Sequence, residues 1–323
     1  MKRFFTVFLM LAMICAVVFA QATKELIIWS AAAEDEAQAL IAKFNEKYPD
    51  IKVSVIRAGS GELLTRLNAE QPRPKGDILL GIAKESFDGA YELFRPYKTA
   101  NHASIPELVR DSAAVPRYYG FSMPLQAIMI NTKLLKPADY PTSWADLINP
   151  KYKGEIIMAN PALSGSAYAQ IYMMYKLFGD DFLKKLAKNC TFTASSTAGP
   201  ESVARGEYAI TVTGEGNIAT YIGKGDPVTY VYPKEGTGAR FDASGIIANG
   251  PNPKNAELFM DFITSLDAYK IILNTRNRRV VITTLPGPKY LPSLADIKLI
   301  PYDAIEAAKI REDLTSKFSD WMQ

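Results

Sequence analysis

The chain has 323 residues, a formal net charge of +3, one histidine and two cysteines. That length allows two domains, and the near-neutral charge leaves no electrostatic case for nucleic acid as a partner. One histidine, with Cys190 as the only cysteine beyond the leader described next, gives His-based triads and His-rich metal sites little to work with.

Lys2 and Arg3 precede a charge-free run, Phe4 to Phe19, with small-residue cleavage patterns at Val18-Phe19-Ala20 and Ala20-Gln21-Ala22. This reads as a secretory signal peptide over residues 1–22, short for a bilayer span, which needs about 20 apolar residues, with a retained N-terminal anchor as the alternative. Lipid attachment at Cys15 is the weaker option, because Ile14 stands where a small residue is wanted. Removing Lys2 and Arg3 lowers the formal charge to about +1.

Strand, helix, strand, helix, strand then follow in under sixty residues. Lys24 to Trp29 is strand-like, Glu34 to Lys47 places Ala37, Leu40, Ile41 and Phe44 at helical spacing, and Ile51 to Ile56 alternates. Glu62 to Asn68 carries Leu63, Leu64 and Leu67 on one face, and Asp77 to Gly81 is a buried strand. This is the βαβ alternation of an open α/β sheet. Ser122 to Asn131 is extended. A strand over Glu155 to Ala159 then leads to helices from Ser164-Gly165-Ser166 to about Phe178 and over Asp180 to Lys188. Thr191 to Thr193 and Tyr208 to Val212 are further strands, with a helix over Glu201 to Arg205 between them. Ile246 to Ala248, a helix over Asn255 to Ser265 and an amphipathic helix over about Pro301 to Trp321 complete the chain.

Small hydroxyl or glycine residues recur where a strand gives way to a helix: Ser30-Ala31, Ser60-Gly61, Ser164-Gly165-Ser166 and Ser195-Ser196-Thr197. Such junctions fall at the carboxyl ends of strands, where α/β proteins bind ligands. Their free N–H groups and the positive helix end suit an anion. The same residues are also the preferred N-caps, each contributing roughly 1 kcal/mol, so the pattern alone does not make a site. Candidate acid–base and nucleophilic groups are few. Glu215 has no partner evident in sequence. His102 sits in a polar stretch and reads as solvated, and Cys190 reads as packing beside a strand. No phosphate-loop or dinucleotide glycine motif occurs.

The segment Thr142 to Gly154 (TSWADLINPKYKG) resembles a signature of periplasmic binding proteins of ABC importers, the group of ferric-ion, thiamine, aminophosphonate and hexose-phosphate binders. The likeness continues through Asn160 to Ser166, Ala204 to Ala209 and Asn255 to Ile263. The resemblance implies a two-lobed α/β fold of type II, with the ligand cleft between lobes joined by hinge strands. The lobes are expected at 23–123 plus 245–290 and at 124–244 plus 291–323, with crossings near Gly81 to Ser86, Ser122 to Leu125 and Asp242 to Gly245. The candidate ligand set is Ser30, Ala31, Ser60, Gly61, Ser164, Gly165, Ser166, Ser196, Thr197, Glu215 and Asp242, and the resemblance implies that the helix start at Ser164-Gly165-Ser166 binds phosphate or another oxyanion. Glu215 bonds solute hydroxyls or an ammonium, or else caps the helix starting at Asn217. Iron binders of the group carry a tyrosine pair where this chain has Gly214 to Asn217. The implied solute is therefore a small phosphorylated or phosphonate anion, with iron or an iron complex as the alternative. The resemblance further implies a monomer that delivers solute to an ABC permease from the periplasm, without cofactor, resident metal or catalysis. A ligand sensor or a secreted enzyme on the same fold are the rival readings.

Overall fold

The computed structural model describes residues 24–238, 240–282 and 284–323. The leader expected over 1–22, and Cys15 within it, lie outside the described residues. Strand β1 (Glu25–Ser30) buries Leu26, Ile28 and Trp29 completely. Helix α1 (Glu34–Lys47) begins with Glu34, Asp35 and Glu36, acidic residues matched to the positive end of the helix, and turns Ala37, Leu40, Ile41 and Phe44 to the core. Then come β2 (Lys52–Arg57), α2 (Ser60–Ala69), β3 (Ile78–Ala83), α3 (Lys84–Gly89), β4 (Phe94–Arg95) and β5 (Tyr119–Ser122).

A second set of elements starts at β6 (Gln126–Asn131). Two short 3-10 turns, Trp144–Ile148 and Pro150–Tyr152, occupy the motif that carries the family resemblance. Ser143 Oγ accepts the Ala145 N–H at 3.0 Å while Asp146 accepts the Ser143 N–H at 3.0 Å, a reciprocal cap that fixes the turn. The cap seats Trp144, fully buried, whose indole N–H donates to the Gly236 carbonyl at 2.8 Å. Beyond it lie β7 (Ile156–Ala159), α4 (Gly165–Phe178), α5 (Asp180–Asn189), β8 (Cys190–Thr193), α6 (Ala198–Arg205), β9 (Ile210–Gly214), α7 (Glu215–Lys224) and β10 (Val228–Val231). The chain ends through β11 (Thr237–Gly238), β12 (Asp242–Ile247), α8 (Pro253–Ile263), α9 (Leu266–Arg276), β13 (Leu299–Ile300) and α10 (Ala304–Met322).

These elements form two lobes, each built on its own sheet. The first sheet runs β2-β1-β3-β12-β4, with β5 also on β12. Strands β1, β2 and β3 are parallel, and β12 is antiparallel to β3, β4 and β5. The second sheet runs β10-β6-β9-β7-β8, with β6 antiparallel to both of its neighbours. A separate apolar core lies under each sheet: Phe44, Leu79 and Phe259 belong to the first, and Trp144, Ile171 and Phe318 to the second. Helix α10 buries Ala307, Leu314 and Phe318 in the second core and also packs against α3 of the first lobe.

The chain leaves the first sheet between β5 and β6 and returns between β10 and β12. A third passage follows α9, leading to β13 and α10. The crossing expected at Gly81 to Ser86 does not occur there, since β3 runs into α3 and Phe87 stays in the first core. Two helix boundaries also move: α8 starts at Pro253, which is favourable in a first helical turn, and α10 starts after its cap Asp303, which accepts the Glu306 N–H at 2.9 Å. No helix among the described residues is long and apolar enough to cross a membrane.

His102 is not simply solvated. It is half-buried, and its Nδ1 shares a hydrogen bond with the Tyr119 hydroxyl at 3.0 Å. Cys190 opens β8 with its sulfur against Met158, and burial pushes its thiol pKa up, so it packs rather than reacts.

Candidate functional site

A cavity of about 230 Å³ lies between the two lobes, where helix starts from both of them converge. The first lobe presents Ala31 after β1, Arg57 at the end of β2, Ala58 and Gly59, Ser60 and Glu62 in the first turn of α2, and Gly81. Ser164 to Ser166, Ser195, Ser196, Gly214, Gly216 and Asn217 face them from the second lobe. Arg240, Asp242 and Arg278, on the segments that join the lobes, also line the cavity.

Helices α2, α4 and α7 all begin at this wall. Their N-caps are Gly59, Ser164 and Gly214, and only Ser164 spends a side chain on its helix, accepting the Ala167 N–H at 3.3 Å. First-turn N–H groups have no intrahelical acceptor, so three helix ends meet one small space; at α2 the Glu62 carboxylate accepts the Gly59 N–H at 3.2 Å, and at α7 the Leu125 carbonyl accepts the Glu215 N–H at 2.8 Å.

Three guanidinium groups add to that charge. Arg57 donates Nε–H to the Ala32 carbonyl at 3.0 Å, which holds the side chain along the wall. Arg240 is 5% exposed, places Nη1 at 2.7 Å from Asp242 Oδ1 and leaves its buried Nε without an acceptor. Burial by itself would lower the Arg240 pKa, but Asp242, Glu85 and Tyr302 together more than offset it, so the group stays charged. Arg278 sits 3.5 Å from Asp242 Oδ2 and 3.3 Å from Glu36 Oε1. Glu36 is fully buried; desolvation raises its pKa and Arg278 opposes the rise. The arrangement can hold an anion by charge-assisted hydrogen bonds, while Asp242 and Asn217 offer acceptors to hydroxyl or amino groups.

Of the residues expected from sequence, Ala31, Ser60, Ser164, Gly165, Ser166, Ser196 and Asp242 line the cavity. Four do not. Ser30 is fully buried and uses Oγ to accept the Ala32 N–H at 3.1 Å, shaping the turn behind the wall. Gly61 lies one residue further along α2 and faces the Ala162 carbonyl. Thr197 turns its hydroxyl to Ser195 Oγ at 2.9 Å. Glu215 is 1% exposed and neither caps a later helix nor reaches the cavity. Its Oε1 accepts from Arg279 Nε at 2.5 Å and its Oε2 accepts from the Tyr232 hydroxyl, tying α7 to the segment after α9.

Sequence reasoning missed Arg57, Arg240 and Arg278. Each stands outside a helix start: at the end of β2, just before β12, and in the run Arg276-Asn277-Arg278-Arg279 that begins on the last residue of α9. That dense basic run was the one available signal.

The fold and cleft define a two-lobed α/β binding protein. Residues 39–290 match the bacterial extracellular solute-binding protein family, and the chain belongs to it. It is 30% identical over 319 residues to an uncharacterized protein of Haemophilus influenzae, covering 94% of this chain and 91% of the relative. A putative 2-aminoethylphosphonate-binding periplasmic protein of Salmonella typhimurium is 25% identical over 236 residues, 69% of this chain and 67% of that one. Among solved structures, the periplasmic binding protein AfuA of Actinobacillus pleuropneumoniae, with exogenous fructose 6-phosphate bound, is similar at a TM-score of 0.86 and 29% identity. That match covers 93% of this chain and 99% of AfuA.

Proposed function

We propose that this protein is the solute receptor of an ABC importer, working in the periplasm and capturing a small phosphorylated or phosphonate solute between its lobes without turning it over. One observation carries the reading: three helix starts and the buried, partly unpaired guanidinium of Arg240 meet at one interlobe cavity. A phosphoryl or phosphonate group brings several acceptor oxygens and a negative charge, which matches that donor set. Asp242 and Asn217 then hold hydroxyl or amino groups at the other end of the solute. The lobes divide at 23–123 plus 245–290 and 124–244 plus 291–323, save that Asp242 to Ser244 pair within the first sheet, and the joining strands act as the hinge.

Likeness to the fructose 6-phosphate-bound structure and to the aminophosphonate relative supports the same class of ligand. The test is a thermal-shift and calorimetric titration of the mature protein with fructose 6-phosphate, 2-aminoethylphosphonate, inorganic phosphate and ferric citrate. A probe held at 100 times its dissociation constant stabilises the fold by about 2.7 kcal/mol. Binding of ferric citrate alone, or release of phosphate from a phosphorylated probe, overturns the reading.

A further inference from the structure

Two glycines of the first lobe touch the backbone of the second with no space for a side chain. A Cβ at Gly59 would stand 1.9 Å from the Leu163 carbonyl oxygen, and one at Gly61 would stand 2.2 Å from the Ala162 carbonyl oxygen. On the facing side, a Cβ at Gly165 would stand 2.9 Å from both Ser60 Oγ and Ala83 Cβ. The opposing turn cannot readily yield. Asn160 Oδ1 accepts the Ala162 N–H at 2.9 Å, and the Asn160 carbonyl accepts the Leu163 and Ser164 N–H groups at 3.1 and 3.0 Å.

Neither glycine is required by its own backbone. Gly59 has φ −68° and ψ 155°, open to any residue, and Gly61 is not among the positive-φ glycines but lies in the first turn of α2. Within a helix, glycine is the less stable choice beside alanine. What excludes a side chain is the other lobe, and only when the lobes are together.

We propose that Gly59 and Gly61 determine how far the cleft closes, and therefore the size of solute that can be enclosed. This rests on the reading that solute is captured between the lobes. A methyl group at either position props the seam open, leaving the helix starts of the second lobe short of the anion. Gly61 is the cleaner position because, unlike Gly59, it does not line the cavity.

The experiment compares wild type, Gly61→Ala and Gly89→Ala, the last a site where an added Cβ meets nothing within 4 Å. Each is melted without ligand, titrated with fructose 6-phosphate and with 2-aminoethylphosphonate, and measured by small-angle X-ray scattering with and without probe. Gly61→Ala should melt no lower than wild type, bind at least about tenfold more weakly and fail to compact with probe, while Gly89→Ala matches wild type. Binding by Gly61→Ala within about twofold of wild type, or equal compaction, overturns the proposal. Should Gly61→Ala melt lower than wild type, Gly59→Ala is judged by the same criteria. If wild type binds neither probe, the ligand assignment fails separately. Spin labels at Ala42→Cys and Lys185→Cys in a Cys190→Ser background then decide the seam. A short-distance population present with Gly61 and absent with alanine supports it, and identical distributions overturn it.

Discussion

Arg240 and Asp242 lie two residues apart at the entry to β12, and their ion pair is almost wholly out of water. Charges this buried owe their stability to each other, and removing one partner leaves the other desolvated. Arg240→Met is therefore expected to lose about 3 kcal/mol, the lower end of the range for breaking a buried pair, because Arg278 still faces Asp242. The same variant should weaken a phosphorylated probe by about a hundredfold, measured by calorimetry beside urea unfolding. Glu215→Gln separates stability from binding. It removes the charge facing Arg279 and leaves a single amide oxygen for Arg279 and Tyr232 to share, at a cost of about 3 kcal/mol, yet probe affinity should hardly change because Glu215 lies outside the cavity. A matching loss of affinity in folded Glu215→Gln would put Glu215 back among the ligand contacts.

Glu36 makes a pH prediction at the same scale. Burial raises its folded pKa above 4.5, outweighing Arg278 and Arg276, while Asp35 and Asp242 push in the same direction as burial. A carboxyl with a raised folded pKa favours the folded state while protonated. That contribution is full below the unfolded pKa and is lost as pH rises through the folded value. Glu36→Gln should therefore lose less stability than wild type between about pH 4.5 and neutrality. Parallel urea-midpoint profiles for the two proteins would show that Glu36 does not titrate in this way.

Elements carry the next set of consequences. Helix α9 ends on Asn277, whose φ of 49° places it in the left-handed region, and the turn lies against Gly216 of α7. Asparagine tolerates that conformation and glycine adopts it freely, whereas alanine pays for its Cβ. Asn277→Ala should cost about 1 kcal/mol, and Asn277→Gly should be close to neutral, in chemical denaturation. Helix α10 is the last element of the chain, yet Phe318 is fully buried in the second core with its ring 5.6 Å from that of Phe192. Phe318→Ala is expected to cost about 3–5 kcal/mol, and a melt that barely moves would mean that α10 is not integral to that core.

Across the whole molecule, local pattern and long-range approach divide what could be read in advance. The βαβ alternation of the first lobe, the amphipathic α1, α8 and α10, and the small residues at the starts of α2 and α4 were legible because each depends on neighbours a few positions away. The capping signals fell on the wall of the cavity but could not separate Ser60, which lines it, from Gly61, which meets the opposite lobe. Nor could they reveal that Glu215 faces Arg279, 64 positions on. The third lobe crossing was misplaced for a similar reason: β3 stays in the first sheet because β12, far along the chain, pairs with it.

By itself, then, the sequence determined an α/β chain with anion-ready helix starts, since periodicity and capping act over one or two turns. Only the tertiary structure decided that Arg57, Arg240 and Arg278 share one cavity, and that Gly59 and Gly61 meet the far lobe. Those contacts join residues from distant segments, and their energies come from burial and charge pairing that exist only once the two sheets have formed and come together.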